Sequence, residues 1–136
     1  MSTDQTSVSA PPASTLAAER SVFVIDDDQA ILASLKFRLE IEGYAVHTYS
    51  SPNALIADAT RKQQGCLVLD YNLDEGNGLE LLDELRRRGV TMPAILITTS
   101  PGPRLRVRAA AASVAIVEKP FTGNTLVDAI HTAFPA

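Results

Sequence analysis

Apolar residues along this chain fall into five short runs, and stretches with helical periodicity separate those runs. The clearest run is Cys66–Asp70, which is almost purely apolar, ends on a carboxylate and is followed by the turn-prone residues 72–78. An apolar run of this length, bounded by turn residues, is typical of a strand buried on both faces, as in a parallel sheet. The other runs are Ser21–Ile25, Ala45–Tyr49, residues 94–97 and Ala115–Glu118. Among them only Ala45–Tyr49 is markedly polar, which suits the edge of a sheet.

The first two intervening stretches carry the polar residues that begin and end helices. Asp28 stands directly before the first apolar periodicity, which favours an N-cap over a metal ligand, and Gly43 is placed to end that helix. The pair Ser51-Pro52 has the capping and first-position chemistry of a helix start. A second helix is therefore predicted from this pair to about Lys62.

The pattern supports the remaining three helices to different degrees. Asn77 can cap a third helix together with Glu80 three residues on, and this helix is predicted to end near Gly89. A fourth helix over about residues 104–112 is short and alanine-rich and holds two large apolar residues. We therefore expect it to be poorly anchored and the most mobile of the five. A fifth helix is predicted from about Thr122 onward.

Strands that alternate with helices in this way predict a doubly wound α/β fold, a five-stranded parallel sheet with five helices on its two faces. In such a sheet, ligands bind in the crevice beyond the carboxyl ends of the strands. Acidic residues 26–28, Asp70, Thr98 and Lys119 all lie at or just after strand ends. We therefore expect these carboxylates, this hydroxyl and this amine to meet at one site.

Composition sets limits on the class of protein. A chain of 136 residues with 46% hydrophobic and 21% charged residues predicts one soluble domain, over residues 20–136. Residues 1–19 are rich in Ser, Thr, Pro and Ala without periodicity, and are predicted to form a flexible tail. A net charge of -4 argues mildly against nucleic acid as a direct partner.

Cellular location follows from the single cysteine and from the apolar runs. Cys66 lies inside a predicted strand, so we expect a buried free thiol, no disulfide and a cytoplasmic protein. No apolar run approaches about 18 residues, and the N-terminus lacks the pattern of a signal peptide. No contact with a membrane is predicted.

The concentration of carboxylates around Asp70 predicts a site for a hard cation. A lone aspartate is a poor nucleophile, but Asp70 beside Asp26 and Asp27 concentrates negative charge that a hard cation relieves. Oxygen ligands with room for waters suit Mg²⁺, or Mn²⁺, and the cation offsets the repulsion of an incoming phosphoryl group. The three adjacent carboxylates could instead form a solvated acidic turn, but their place after a buried strand disfavours this.

Four motifs at strand ends, in this order, resemble the receiver domains of two-component response regulators. They are Asp26-Asp27-Asp28, residues 67–73 with 78–82, residues 95–98, and Glu118-Lys119-Pro120-Phe121. The resemblance covers about residues 20 to 134 and implies the strand order 2-1-3-4-5. It also implies a regulatory domain rather than an enzyme. Such a domain accepts a phosphoryl group on Asp70 from a sensor histidine kinase or a histidine phosphotransfer protein.

The resemblance assigns metal ligands to four residues of this chain. Asp27 and Asp70 would bind Mg²⁺ directly, and Asp26 would act through a water molecule. The backbone carbonyl of Asn72 would complete the protein's share of the ligands. Each of these residues lies at or just after the end of a predicted strand.

The resemblance also assigns residues that contact the phosphoryl group. Thr98 would donate its hydroxyl to a phosphoryl oxygen on Asp70, and Lys119 would place its ammonium on another. The Lys119–Pro120 peptide bond is expected to be cis. Positioning and charge neutralisation of this kind are most of what phosphoryl transfer demands.

This chain departs from the family pattern near the site. Asp74 replaces a common proline four residues after Asp70, which adds negative charge and is expected to loosen the turn. Thr99 and Ser100 stand where small residues are usual, and Ile116 replaces the aromatic residue that acts as a switch. These changes concern output rather than phosphorylation. The weakly packed residues 99–112 are then expected to be the segment that changes conformation.

Three alternative functions fit these residues less well. A Mg²⁺-dependent phosphatase would want a second acid two residues after its nucleophile, where Asn72 stands. A flavodoxin-like cofactor carrier would want a hydroxyl- and glycine-rich phosphate loop after the first strand, where three carboxylates stand. A receiver-fold scaffold whose contacts ignore phosphorylation is disfavoured by the intact set of Asp27, Asp70, Thr98 and Lys119.

The expected partners follow from the receiver-domain interpretation. Because the chain ends after the fifth predicted helix, we expect a single-domain response regulator whose signal passes to a separate output protein. That signal would be a regulated contact or onward phosphotransfer. The output protein is unknown from the sequence, and a homodimer is one further option.

Overall fold

A computed structural model describes residues 20–121 and 123–135, which form one parallel sheet between two layers of helices. The strands are β1 (Ser21–Ile25), β2 (Ala45–Tyr49), β3 (Cys66–Asp70), β4 (Ala94–Thr98) and β5 (Ala115–Glu118). The helices are α1 (Gln29–Ile41), α2 (Pro52–Lys62), α3 (Gly78–Arg87), α4 (Pro103–Ala111) and α5 (Thr125–Ala133). The predicted tail over residues 1–19 lies outside the described residues.

The order of strands in the sheet is β2-β1-β3-β4-β5, and every neighbouring pair is parallel. This confirms the predicted doubly wound fold and its 2-1-3-4-5 order. It also places the more polar strand β2 at an edge, as expected. Because β3 and β4 lie inside the sheet, the residues at their carboxyl ends stand in the crevice between the connecting loops.

The two faces of the sheet carry separate apolar layers. Alternate residues of β1 and β3, such as Phe23 and Leu67, pack with the buried side chains of α2, α3 and α4. Their neighbours, such as Val24 and Val68, pack with α1 and α5 on the other face. Both faces are therefore dry, which explains why the central strands are continuous apolar runs rather than alternating ones.

The starts of α1, α2 and α3 agree with the sequence prediction, and the start of α5 differs from it. The Asp28 carboxylate accepts hydrogen bonds from the backbone at the start of α1, which confirms its capping role. Asn77 forms the predicted capping box of α3. Ser51 stands at the N-cap of α2 and Pro52 at its first position, as predicted, although the Ser51 side chain makes no capping hydrogen bond. The fifth helix begins at Thr125, later than predicted, and the expected start at Thr122 lies outside the described residues.

Arg20 joins the two ends of the described chain at the amino-terminal side of the sheet. Its guanidinium carbon lies 5.0 Å from the Tyr44 ring centroid and 5.3 Å from that of Phe134. One of its nitrogens also donates to the backbone carbonyl of Phe134 at 3.1 Å. These contacts stabilise the end of the sheet that lies opposite the polar crevice.

Cys66 is fully buried and free of any disulfide, as expected. Burial raises the pKa of its thiol to about 12, so the group stays protonated and behaves as a small apolar side chain. In the part of the chain that the structure describes, no helix has the length and apolar character needed to span a membrane.

Candidate functional site

Asp70 is the last residue of the central strand β3, and only 3% of it is exposed. Its Oδ1 accepts a hydrogen bond from the backbone N–H of Asn72 at 3.2 Å. The next residue, Tyr71, donates its N–H to the carbonyl of Ile97 on β4 at 2.8 Å. The strand pairing thus continues past Asp70, and it fixes this carboxylate at the rim of the sheet.

Lys119 follows the end of β5 and brings its ammonium between two buried carboxylates. Its Nζ lies 2.8 Å from Oδ2 of Asp26 and 3.4 Å from Oδ1 of Asp70. The backbone N–H of Lys119 donates to the carbonyl of Thr98 at 2.8 Å, and the Lys119–Pro120 bond is cis, as expected. Asp26, which is 1% exposed, is therefore the nearer partner of Lys119, a pairing that the sequence did not indicate.

These buried charges shift one another's protonation. Burial and the nearby Asp26 carboxylate raise the pKa of Asp70 to about 6, although Lys119 opposes this shift. Burial alone would lower the pKa of Lys119, but its hydrogen bond to Asp26 and the charge of Asp70 outweigh it, so the net shift is upward. Lys119 is consequently a cation at neutral pH, and Asp70 is ionised there only because pH 7 exceeds its raised pKa.

Asp27 lies at the exposed side of the same crevice, where it faces Asp74. Partial burial and the Asp74 carboxylate raise the pKa of Asp27, while the backbone N–H of Asp74 opposes this by hydrogen bonding to the ionised form. Two short antiparallel strands, Asn72–Leu73 and Gly76–Asn77, flank Asp74 and Glu75 and hold the turn in place.

Thr98 ends β4 beside Asp70, because the strand register pairs Asp70 with Ile97. The threonine is 2% exposed, and its backbone carbonyl holds Lys119 as described above. Ile116, in the place of the expected aromatic residue, is half-buried against the apolar layer of α2, α3 and α4. Of the residues predicted for the site, Asp26, Asp70 and Lys119 are in direct contact, Thr98 adjoins them, and Asp27 and Asn72 lie at the exposed side.

Gly78 is a residue of the site to which sequence reasoning assigned no role. A Cβ atom there would lie 2.6 Å from the carbonyl oxygen of Asp70 and 2.8 Å from Cδ1 of Leu96. Its N–H donates to the carbonyl of Tyr71 at 3.0 Å. Only glycine allows α3 to begin this close to the end of β3. A glycine directly after the helix cap Asn77 was the signal in the sequence that could have indicated this.

The donors at this rim suit a hard divalent cation. Among the described residues, no three His, Cys, Asp or Glu side chains converge into a ready-made metal cage. Mg²⁺ does not need such a cage, because it keeps several waters and binds through one or two carboxylates. The carboxylates of Asp26, Asp27 and Asp70 supply oxygen ligands only, and their charge exceeds that of the single ammonium of Lys119. Their chemistry therefore fits Mg²⁺.

Comparison with known proteins identifies the same region. The sequence model of the response regulator receiver domain matches residues 22–131. The transcriptional regulatory protein FixJ of Azorhizobium caulinodans is 37% identical over 113 residues, which is 82% of this chain and 54% of that protein. FixJ of Rhizobium meliloti is 33% identical over 114 residues, 83% of this chain and 56% of that protein. This chain thus spans about half the length of these relatives.

Solved structures agree with the sequence comparison. A crystal structure of FixJ-N superposes with a TM-score of 0.76 at 32% identity, covering 84% of this chain and 92% of that one. With the fold, the rim residues and the family match in agreement, this chain belongs to the receiver domain family of two-component response regulators.

Proposed function

We propose that this domain accepts a phosphoryl group on Asp70 from a sensor histidine kinase or a histidine phosphotransfer protein. The proposal rests on a carboxylate and an ammonium group that lie together at the carboxyl end of β3. Asp70 is a buried carboxylate at the end of the central strand, and the Lys119 ammonium stands 3.4 Å from its Oδ1. Asp26 places a second buried carboxylate against the same ammonium, 2.8 Å from Nζ of Lys119.

Transfer from a phosphohistidine requires one displacement at phosphorus. A carboxylate oxygen of Asp70 attacks the phosphorus atom, and the phosphorus–nitrogen bond to the donor imidazole breaks. The imidazole leaves with the electron pair of that bond and takes up a proton, while Asp70 becomes an acyl phosphate. Asp70 serves as nucleophile only when ionised, and its pKa of about 6 leaves it ionised at neutral pH.

The neighbouring residues neutralise and position the transferred group. Lys119 can pair its ammonium with an oxygen of the new phosphoryl group, because its Nζ already lies 3.4 Å from Oδ1 of Asp70. Thr98 can donate its hydroxyl to a phosphoryl oxygen from the end of the adjacent strand. Asp26, Asp27, Asp70 and the carbonyl of Asn72 would hold Mg²⁺, which, when bound, offsets the repulsion between the carboxylates and the phosphoryl group.

Output and partners complete the proposal. The modified domain signals by a regulated protein contact or by onward phosphotransfer, acts as a regulatory domain rather than an enzyme, and works in the cytoplasm. The FixJ relatives are named transcriptional regulatory proteins and are about twice as long. We propose that the 136-residue chain works as a single-domain regulator with a separate output protein.

Intact-mass spectrometry tests the phosphoacceptor. The chain is incubated with acetyl phosphate and Mg²⁺, and we expect a mass increase of one phosphoryl group that requires the cation. Asp70→Asn should abolish the increase, whereas Asp83→Asn, on the exposed face of α3, should retain it. Equal labelling of Asp70→Asn would overturn the assignment. If the wild-type chain is not labelled at all, the result would favour a scaffold whose contacts do not depend on phosphorylation.

A further inference from the structure

Positive charge is concentrated in one stretch of this acidic chain. Residues 85–117 contain six arginines and no acidic residue, although the whole chain carries a net charge of -4. The first three arginines, at the end of α3, have local partners: two form ion pairs with Glu84, and one donates to the backbone carbonyl of Val90. The other three lie on α4. The positive charge of this stretch that lacks a nearby partner is therefore to be sought on that helix.

The three arginines of α4 differ in their surroundings. Arg106 forms an ion pair with Glu118 of β5 at 3.3 Å. Arg104 and Arg108 are exposed, and neither forms an ion pair among the residues that the structure describes. They lie four positions apart, on one side of the helix, and Val107 is 69% exposed beside them. Arg104, Val107 and Arg108 together are called the α4 surface below.

The fold of α4 does not account for the charge of Arg104. This residue lies in the first turn of the helix, where the helix dipole favours anions, and that turn holds no acidic residue. The helix also begins without a side-chain cap. A cation at this position therefore opposes helix formation. Arg108 lies in the last turn, where a cation is favourable, so Arg104 is the residue whose charge calls for a role outside the helix.

We propose that the α4 surface binds an acidic segment of a partner protein. Carboxylates of the partner would pair with Arg104 and Arg108, and an apolar side chain of the partner would cover Val107. Guanidinium groups bind carboxylates through two parallel hydrogen bonds, and clusters of arginine recur at sites that recognise acidic segments. This inference rests on the proposed function, because the partner would be the separate output protein of that proposal.

A second copy of the chain and a nucleic acid suit the α4 surface less well. Two copies that met through α4 would bring arginines against arginines, and like charges across an interface oppose binding. A nucleic acid backbone offers phosphates to the arginines but no apolar group to cover Val107, and the net charge of -4 repels a polyanion. An acidic protein segment with an apolar side chain complements both the charge and the apolar residue.

Fluorescence anisotropy of synthetic peptides with the 136-residue chain tests the proposal. The probe is a labelled helical peptide of Glu and Leu, and its control carries Lys in place of every Glu. We expect the acidic peptide to bind at least about tenfold more tightly than the lysine peptide, and to bind more weakly as the salt concentration rises. The titration is run with and without beryllium fluoride. A wild-type chain that binds the acidic peptide in neither state would overturn the proposal.

Variants of the chain assign the binding to the α4 surface. The double variant Arg104→Gln/Arg108→Gln should weaken binding of the acidic peptide about tenfold, and Val107→Ser about threefold. The control Arg61→Gln/Lys62→Gln removes two positive charges from α2 instead and should stay within about twofold of wild type. Equal weakening by this control would overturn the proposal, because the effect would then be one of net charge alone.

Thermal denaturation separates recognition from a structural role. Because the charge of Arg104 opposes the helix dipole, Arg104→Gln should leave the melting temperature unchanged or raise it slightly. A lower melting temperature together with weaker peptide binding would mean that Arg104 serves the fold, and would overturn the proposal.

Other occupants of the α4 surface give different results. A labelled DNA duplex that binds more tightly than the acidic peptide, and loses affinity in Arg104→Gln/Arg108→Gln, would overturn the proposal in favour of a nucleic acid. A dimer in analytical ultracentrifugation that this double variant abolishes would overturn it in favour of a second copy.

The outcomes also separate this inference from the function on which it rests. If the acidic peptide binds through Arg104 and Arg108 but acetyl phosphate does not label the chain, this inference stands and the proposed function fails. If the chain is labelled on Asp70 but the double variant binds the peptide as tightly as wild type does, the proposed function stands and this inference fails.

Discussion

Helices α3 and α4 pack on the same face of the sheet but are anchored very differently. Four leucines of α3 are buried, and a capping box fixes its start. Helix α4 buries only Leu105 and Ala109, begins after Gly102 without a side-chain cap, and leaves Val107 69% exposed. The comparison suggests a division of labour, in which the loop before α3 holds the site rigid and α4 is free to respond.

The difference can be put in terms of free energy. Burying one leucine side chain contributes about 1.5–3 kcal/mol, so the apolar anchor of α3 is several times stronger than that of α4. Segments with few buried apolar contacts open locally at lower free energy than the rest of a protein. We therefore expect α4 to have the lower local stability of the two helices, although they share one apolar layer.

Core truncation should show the largest difference between the helices. Leu82→Ala in α3 is expected to lower the free energy of unfolding by about 3–4 kcal/mol, because Leu82 is 2% exposed and its loss leaves a cavity. Leu105→Ala in α4 should cost about 2 kcal/mol, because the thinly packed helix can relax around the gap. Urea denaturation measures both. If Leu105→Ala lowers the free energy of unfolding as much as Leu82→Ala or more, α4 is not the more weakly anchored helix.

The next largest effect on stability comes from the ionised carboxylate of Asp70, at the end of the strand that precedes α3. Folding raises the pKa of Asp70 from an ordinary value of 3.8 to about 6, so between these values the folded state binds a proton that the unfolded state has lost. The ionised group therefore destabilises the fold above about pH 6, and this penalty disappears below about pH 4.

Asp70→Asn removes that penalty. Without divalent cations, we expect it to raise the free energy of unfolding by about 1–3 kcal/mol at pH 7.5, with the difference narrowing as pH falls to 4. Urea denaturation across this pH range measures it, and Asp83→Asn is the exposed control. If the variant is less stable than wild type at pH 7.5, the attraction between Asp70 and Lys119 stabilises the fold by more than the burial of the Asp70 charge destabilises it.

Substitutions at the helix caps should have the smallest effects on stability. We expect the one in α3 to destabilise the protein and the one in α4 to stabilise it. Asn77→Ala removes the capping box of α3 and should destabilise the protein by about 1 kcal/mol. Gly102→Asp adds a cap to α4 where a Cβ meets no atom within 4 Å, and should stabilise it by about 0.5 kcal/mol. Thermal denaturation at fixed pH measures both. Destabilisation by Gly102→Asp would mean that α4 needs the freedom of glycine at its start.

Most of the fold could be predicted from local pattern. The strands were recognisable because both faces of β1, β3 and β4 are dry, which leaves continuous apolar runs. Asp28 and Asn77 were recognisable as caps because the hydrogen bonds of a cap are local. Ser51-Pro52 was likewise recognisable as the start of α2. The start of α5 lies at Thr125, later than the pattern predicts, and its N-cap residue Asn124 makes no side-chain capping hydrogen bond.

The site was predictable as a set of residues but not as a set of contacts. Strand ends of a parallel sheet meet at one edge, so Asp26, Asp70 and Lys119 could be expected together. Lys119 lies nearer to Asp26 than to Asp70, although Lys119 and Asp26 are 93 positions apart in the sequence. No local sequence pattern could predict such a contact. The sequence pattern showed turn-prone residues around Asp74 but not the short antiparallel pairing that flanks it, of Asn72 with Asn77 and Leu73 with Gly76.

Amide hydrogen exchange with and without beryllium fluoride, a mimic of the phosphoryl group, most directly tests whether chemistry at Asp70 reaches α4. We expect protection to change mainly over residues 99–112, much less at Ile116, and hardly at all in α3. Ile116 should respond weakly because a branched aliphatic lacks the reach of an aromatic ring. Asp70→Asn should abolish the response. An unchanged segment 99–112 together with altered protection in α1 and α5 would contradict this division between a rigid α3 and a responsive α4.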